Sequence, residues 1–269
     1  MTLISGGLVW RLVYFQIMDS ERYIAHGESQ RIVAIDVQAQ RGSILDRNGV
    51  DLALSVPRRS LVANAGLVED PVQTARALVQ IIGGDSEELE SKLSSGRKFV
   101  YISRQIEDRF VDAVLALKLA GIYSQPEQGR VRPDGDSVVA VIGRTDIDGK
   151  GISGLEKSYD HLLSGENGRK VVERGPRGST IPGGEYSLKP EKNGTTIVST
   201  LDRSLQFEAA KILISGIEKA GAAGGLLVAM KPSNGEILAS VAVERNEYGN
   251  VKQVTEHKSA TWTFEPGSI

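Results

Sequence analysis

One stretch of the chain, from Thr195 to Arg245, constrains the order of its secondary structure more than any other. The letters TTIVST predict a strand, and LDRSLQFEAAKILISGIEKAG predicts a long helix with Asp202 as its N-cap. GLLVAMKPSNGEILASVAVER predicts two strands joined by a tight turn at Ser233-Asn234-Gly235. A strand, a helix and a hairpin in this order predict an antiparallel α+β domain. The helix is expected to turn five residues inward: Leu205, Ala209, Ile212, Leu213 and Ile217.

The residues before this stretch predict further strands and helices separated by glycine. RIVAIDVQAQRGSILDRNGVDLALSV predicts strands around a tight turn at Asn48-Gly49. A helix is expected from Pro71, capped by Asp70 and stopped by Gly83, and SEELESKL predicts a second one. QIEDRFVDAVLALKLAG predicts a third that ends at Gly121, with four residues on its inner side: Ile106, Phe110, Val114 and Leu117.

Between Gly143 and Gly194 the chain is rich in glycine and turns. SVVAVIG fits either a short strand or a helical turn, because periodicity does not separate the two over so few residues. A short helix is expected around Leu155 to Leu163, and RKVVERGPRGSTI predicts a two-stranded ribbon. Pro, Gly, Lys and Glu cluster from Gly184 to Asn193, where we expect a domain boundary.

Composition narrows the classes of partner and cofactor. The 269 residues suffice for two domains, and the net charge of −2 with no basic block argues against nucleic acid as the main partner. The absence of cysteine excludes disulfides and thiolate catalysis. His26, His161 and His257 are too far apart in the sequence for metal-ligand spacing, so we expect no metal and no cofactor.

The amino end is more apolar than the rest. MTLISGGLVWRLVYFQIM is broken by Arg11 and Gln16, and a bilayer-spanning helix needs about 20 apolar residues. Two interpretations stay open. Residues 1–18 are either part of a membrane anchor with Trp10, Tyr14 and Phe15 at the interface, or an ordinary buried amphipathic helix.

Five segments resemble, in order and spacing, segments of class B penicillin-binding proteins. RGSILDRNG, continuing to Leu52-Ala53, is similar to the start of that family's non-catalytic region, and GISGLEKSYD with LSGENG is similar to its second signature. TTIVSTLDRSLQ and AMKPSNGEILA resemble the first strand, helix and hairpin of the transpeptidase domain. TFEPGSI resembles the start of the active-site helix, so the match runs from Arg11 to the last residue.

The resemblance implies an α+β protein in three parts. Residues 1–18 would be a partial membrane-anchor helix, residues 19–184 an elongated dimerisation-type domain, and residues 193–269 the start of a β-lactamase-like serine transpeptidase domain. It also implies a single-pass protein of the cytoplasmic membrane, with most of the chain outside the cell. The implied partners are a peptidoglycan stem peptide, β-lactams, and cell-wall synthesis proteins such as a glycan polymerase.

The resemblance also implies a catalytic residue. In this family the serine of EPGS is the acylated nucleophile of a D,D-transpeptidase, and Ser268 holds that place. The family's lysine three positions on, its Ser-x-Asn segment and its Lys-Thr-Gly segment are not among the 269 residues, so we expect the chain alone to be inert. The alternative is a non-catalytic module that docks onto membrane partners in cell-wall synthesis.

Other polar residues carry structural expectations. Arg41, Asp46 and Arg47 are expected to pair around the Asn48-Gly49 turn. Glu156 and Asp160 lie at helical spacing and are expected on a solvated helix face. Asp202 is expected to cap its helix, and Glu265 is assigned no role.

Overall fold

The computed structural model describes residues 32–174 and 180–263, and it has the mixed α+β architecture that the sequence predicts. The described residues form two compact units. One contains residues 32–39 and the described part of 166–192, and the other contains residues 40–165 and 193–263. The predicted division into residues 19–184 and 193–269 rests on the family resemblance and stays a prediction.

The first unit is a three-stranded antiparallel sheet. Strands β1 (Ile32–Val37), β6 (Gly168–Arg174) and β7 (Thr180–Lys189) lie in the order β1-β6-β7. In the register, Ile35 lies opposite Lys170, and Lys170 lies opposite Ser187. The predicted ribbon is therefore confirmed, with β1 added as a third strand, while residues 175–179 between β6 and β7 lie outside the described residues.

The second unit is organised around one long strand. Strand β3 (Asp51–Ala63) pairs antiparallel with β5 (Ile122–Val131) over most of its length, with β4 (Val100–Ile106) near its end and with β2 (Ile44–Leu45) near its start. Strand β8 (Ile197–Val198) then pairs in parallel with β2. The turn between β2 and β3 is the predicted tight one, since Gly49 donates to the carbonyl of Asp46 at 3.1 Å and has a φ of 82°.

Three helices cover the far end of β3. Helix α1 (Pro71–Ile82) begins as predicted, with the Asp70 side chain accepting from the N–H of Gln73, and it ends at Gly83. Helix α2 (Ser86–Leu93) is capped by Asp85, and helix α3 is Asp108–Ala116. Their buried faces and those of β3 and β4 form one core: Leu61, Ala63, Ala75, Leu78, Leu89, Leu93, Ile102, Val111 and Val114.

Helix α3 differs from its prediction at both ends. Ile106 belongs to β4, and Leu117 is 46% exposed because the helix has already ended at Ala116. Lys118 then takes a left-handed φ of 50°, which stops the helix. Gly121 does not end α3 but leads into β5, where its φ of 78° and its closeness to the carbonyl of Asn64 favour glycine.

The ambiguous segment 137–143 is helical. A 3₁₀ turn at Gly135–Val138 continues into helix α4 (Val139–Ile142), and a hairpin bridged at Thr145 and Gly151 follows. The predicted short helix is two helices, α5 (Gly154–Ser158) and α6 (Asp160–Leu163), interrupted at Tyr159. This segment contributes to a central core with β2, β3 and the residues around β8: Ile44, Leu52, Ala53, Val138, Ile142, Leu163 and Leu201.

The carboxyl-terminal part confirms the predicted order of strand, helix and hairpin. Helix α7 (Arg203–Ala220) is capped by Asp202, whose side chain accepts from Leu205 N–H at 3.0 Å. It packs on an antiparallel sheet of β11 (Val251–Gln253), β10 (Ile237–Arg245) and β9 (Gly224–Met230), and helix α8 (Lys258–Thr261) follows.

The inward face of α7 is only partly the predicted one. Ala209 is buried, but Leu205 and Ile212 are 40% and 63% exposed. The stripe that meets the sheet follows i, i+4 and i+7 spacing from Gln206, so these two apolar residues lie on its flanks. A polar residue, Gln206, occupies a buried position in this stripe.

Candidate functional site

The predicted nucleophile Ser268 lies outside the described residues, as do Glu265 and the amino-terminal segment 1–18. The described chain ends at Thr263, five positions before Ser268. Within residues 32–174 and 180–263, none of the helices has both the length and the apolar character needed to cross a bilayer. The described residues contain two polar groupings in the interior, and one of them extends to α8, the last described helix before Ser268.

The first grouping is a set of buried and partly buried ion pairs, which we call the charged cluster: Arg41, Arg130, Glu156 and Asp160. Arg41 precedes β2, and its Nε donates to Glu156 Oε2 at 2.7 Å. Its Nη1 donates to Asp160 Oδ1 at 2.6 Å, and its Nη2 donates to the backbone carbonyl of Glu156 at 2.9 Å. Arg130 of β5 approaches from another direction, with Nε 2.7 Å from Glu156 Oε1. Glu156 thus accepts one guanidinium on each carboxylate oxygen.

Burial and pairing determine the electrostatics of the charged cluster. Glu156 is only 1% exposed, and two arginines balance two carboxylates, as buried charges require. Burial tends to raise the pKa of Asp160, but hydrogen bonds from the Gly151 N–H and from Arg41 outweigh it, so the pKa lies below its ordinary value. Burial lowers the pKa of Arg130, and the Glu156 carboxylate opposes that change. The charged cluster links three segments that lie far apart in the sequence.

The charged cluster corrects two sequence predictions. Glu156 and Asp160 do not lie on a solvated helix face, because α5 and α6 turn them toward Arg41. Arg41 also does not pair around the Asn48-Gly49 turn, since its guanidinium is occupied by these two carboxylates. Periodicity alone missed this arrangement because the arginine partner comes from 115 positions earlier.

Asp46 does organise the predicted turn, but through backbone groups. Its Oδ1 accepts from the N–H groups of Asn48 at 2.7 Å and Val50 at 2.9 Å, and its Oδ2 accepts from Arg203 N–H at 3.3 Å. Burial tends to raise the pKa of Asp46, but these hydrogen bonds lower it overall. Arg47 points elsewhere, with Nη2 3.5 Å from Glu236 Oε2.

A close backbone approach explains the glycine that follows Arg41. The N–H of Gly42 donates to the carbonyl of Leu163 at 2.9 Å, and a Cβ at this position would collide with the carbonyl of Thr195. Three segments therefore meet at one point that has no room for a side chain.

The second grouping, which we call the amide bridge, is neutral and is centred on Gln206. Gln206 Oε1 accepts from Ser240 N–H at 2.8 Å, and its Nε2 donates to the Ser240 carbonyl at 3.0 Å and to the Ser137 carbonyl at 2.9 Å. The side chain is 1% exposed. The five residues predicted to face inward on α7 did not include Gln206, although it lies one turn before Ala209 and Ala210 on the same face.

The amide bridge continues toward the end of the described chain. Ser240 Oγ lies 2.8 Å from Ser259 Oγ on α8, and α8 packs against β9 and β10. A cavity of about 430 Å³ opens beside α8. Its lining comes from α4, from the second signature and from the residues around α8: Ala140, Val141, Arg144, Ser153, Gly154, Thr255, Glu256, His257 and Thr261. Within the described ranges, no group of three or more His, Asp or Glu side chains is placed to hold a metal ion.

Comparison with known proteins defines the class. The family model for the penicillin-binding protein dimerisation domain matches residues 36–199, well over half of the chain. This chain belongs to the class B penicillin-binding proteins. The predicted family is confirmed.

Individual relatives narrow the resemblance further. The chain is 32% identical, over 99% of its length and 47% of the relative's, to the probable peptidoglycan D,D-transpeptidase PenA of Neisseria meningitidis. It is 28% identical, over 97% of its length and 46% of the relative's, to the peptidoglycan D,D-transpeptidase FtsI of Escherichia coli. The crystal structure of a peptidoglycan synthetase from Bifidobacterium adolescentis matches with a TM-score of 0.51 and 25% identity, over 86% of this chain and 46% of that one. The chain spans about half the length of the curated relatives it matches.

Proposed function

We propose that a longer protein containing this chain is a peptidoglycan D,D-transpeptidase that works through an acyl-serine intermediate on Ser268. Residues 193–269 would be the start of its catalytic domain, and residues 19–184 its dimerisation-type domain. The observation that carries the proposal is the binding of Arg41 to Glu156. These residues belong to the two signature segments named from the sequence, and their close, buried contact supports treating both segments as genuine signatures.

The proposed chemistry follows from the place of Ser268. A serine at the first turn of a helix lies at the positive end of the helix dipole, near unpaired backbone N–H groups. Its Oγ attacks the carbonyl carbon between the two terminal D-alanines of a stem peptide, and a base takes the hydroxyl proton. The bond to the last D-alanine breaks, and that amine leaves with a proton. An amine from a neighbouring stem peptide then attacks the ester, forms the cross-link and releases Ser268.

The base is proposed to be a lysine three positions after Ser268. A lysine at that spacing lies beside the serine on the same helix face, and burial lowers the pKa of an amine toward the range of a general base. Among the 269 residues, only Ile269 follows Ser268, so the chain by itself is proposed to be inert. A β-lactam would take the place of the substrate and remain attached to Ser268.

The same proposal covers location and partners. Residues 1–18 would contribute to a single-pass anchor in the cytoplasmic membrane, with the remaining residues outside the cell. The dimerisation-type domain would dock onto membrane proteins of cell-wall synthesis, such as a glycan polymerase. No nucleic acid partner is proposed, because the net charge is −2 and no basic block is present.

A labelling experiment tests the proposal. A fluorescent penicillin should label a chain extended through the rest of the catalytic domain and should leave the 269-residue chain unlabelled. Ser268→Ala in the extended chain should abolish labelling, because removal of the nucleophile eliminates the covalent route. Ser204→Ala is the matched control, an exposed serine on α7 whose loss should leave labelling unchanged. Labelling that survives Ser268→Ala would disprove the assignment.

A further inference from the structure

We infer that Gln206 is a positioning residue for the acylation proposed above: it sets the place of β10 and, through Ser240, the place of α8, the last described helix before Ser268. The inference rests on the proposed function for the reaction itself. Its structural part, the control of α8 by Gln206, stands on the contacts of the described residues.

The amide of Gln206 fixes β10 in two directions. It binds both backbone groups of Ser240, accepting from the N–H at 2.8 Å and donating to the carbonyl at 3.0 Å. The amide pairs with the N–H and the carbonyl of Ser240 as the backbone of a neighbouring strand would. These two hydrogen bonds oppose a shift of β10 along α7. Because the side chain is buried, no water replaces these bonds when they are lost.

The packing around Gln206 explains why such a device is useful. Apolar side chains form the core between α7 and the sheet: Ala209, Ala210, Ala239, Val241 and Val243 are buried, and larger residues such as Leu213 and Ile217 pack against them. Apolar burial is non-directional. The hydrogen bonds of Gln206 add a directional constraint on the position of β10 to this packing.

The same amide anchors the sheet to the segment before α4. The Ser137 carbonyl accepts from Gln206 Nε2 at 2.9 Å and from Gln253 Nε2 at 3.0 Å. The helix start is held to this segment as well, because Arg203 Nε donates to Asp134 Oδ2 at 2.6 Å. Helix α7 and strand β11 therefore bind directly to the segment around the 3₁₀ turn at Gly135–Val138, and β10 is joined to it through Gln206.

Ser240 connects β10 to α8 through its side chain. Its Oγ lies 2.8 Å from Ser259 Oγ, so α8 is held by the residue that Gln206 aligns. Helix α8 closes with Trp262 N–H donating to the Lys258 carbonyl at 2.8 Å, and Ser268 follows six positions after Trp262. A displacement of about 1 Å in a reacting group can cost on the order of 100-fold in rate. A shift of β10 would therefore appear as slower acylation.

Hydrogen exchange on the 269-residue chain tests the structural part. Gln206→Leu removes the hydrogen bonds with little change in size, and exchange should quicken by about tenfold or more at the Ser240 amide and in residues 255–263. Gln73→Leu is the matched control, an exposed glutamine on α1, and it should change neither. Ser240→Ala should quicken exchange in residues 255–263 alone, and it decides the question if Gln206→Leu does not fold. Unchanged exchange in residues 255–263 in the folded variants would overturn the inference.

Penicillin acylation of the extended chain tests the reaction part. Gln206→Leu and Ser240→Ala should lower the acylation rate by about tenfold or more, while the final fraction of labelled protein stays complete well below the thermal midpoint. Loss of a purely stabilising residue would leave the acylation rate at the wild-type value under these conditions, because nearly all of the protein is then folded. Wild-type rates in both variants would overturn the inference. An extended wild-type chain that is never labelled would refute the proposed function, and the exchange experiment would then decide alone whether Gln206 positions α8.

Discussion

The charged cluster and the amide bridge both join segments that are distant in the sequence, but they do so with different chemistry. The charged cluster uses four ionised groups and spans 115 positions between Arg41 and Glu156. The amide bridge uses one neutral side chain to join residues 34 and 69 positions away from Gln206. A buried charge that loses its partner costs more free energy than a buried neutral group that loses its hydrogen bond.

This difference assigns the two groupings different roles. The charged cluster holds the first and second signatures together, so it should determine whether the chain folds. The amide bridge holds β10 and α8, which lead toward Ser268, so it should influence the rate of acylation more than the stability of the fold.

Loss of Glu156 should have the largest effect on stability. Glu156→Ala leaves the guanidinium groups of Arg41 and Arg130 buried without this carboxylate, and should lower the free energy of unfolding by about 3–5 kcal/mol. Urea unfolding measures the change. The control is Asp136→Ala, which removes an exposed carboxylate 3.5 Å from Arg144 and should cost under about 1 kcal/mol. Equal effects of the two substitutions would show that the charged cluster does not hold the fold.

Loss of Gln206 should have an intermediate effect. Gln206→Leu strands the N–H and carbonyl of Ser240 in the interior, and should lower the free energy of unfolding by about 1–3 kcal/mol. The same urea experiment measures it beside Glu156→Ala. If Gln206→Leu lowered the free energy of unfolding as much as Glu156→Ala, the charged cluster and the amide bridge would not differ in their contribution to stability.

Loss of the Asp160 charge should have the smallest effect, and one that depends on pH. The folded pKa of Asp160 lies below its ordinary value of 3.8, so the carboxylate stabilises the fold at neutral pH and loses that contribution as the pH falls below about 4. Asp160→Asn should therefore be less stable than the wild type by about 1 kcal/mol at pH 7, with the difference shrinking toward pH 3. Unfolding experiments at pH 7, 5 and 3 measure this trend. A difference that grows on acidification would contradict the assigned pKa direction.

The sequence predicted the elements that depend on local signals. Asp70, Pro71 and Gly83 mark the two ends of α1, because caps and prolines act within a single turn. The turn at Ser233-Asn234-Gly235 joins β9 and β10, because a tight hairpin turn favours these residue types. The resemblance to the family rested on segments of this kind, and the family model confirmed it.

The sequence missed features that depend on distant partners. Glu156 looked solvated because its helix is short and polar, and only the folded chain brings Arg41 and Arg130 to it. Helix α3 ended early because Lys118 adopts a left-handed conformation, which no local pattern signalled. Gln206 was not among the residues predicted to face inward, because its partners are backbone groups of distant residues, whose position only the fold determines.

The most direct test of the central claim is to locate the penicillin adduct by mass spectrometry. The chain extended through the catalytic domain is treated with penicillin, digested, and each peptide is fragmented. The account predicts one adduct of the mass of intact penicillin, carried by the Ser268 side chain and absent from Ser259. An adduct on any other residue, or none at all on a folded extended chain, would contradict the claim that Ser268 is the acylated serine of a penicillin-binding transpeptidase.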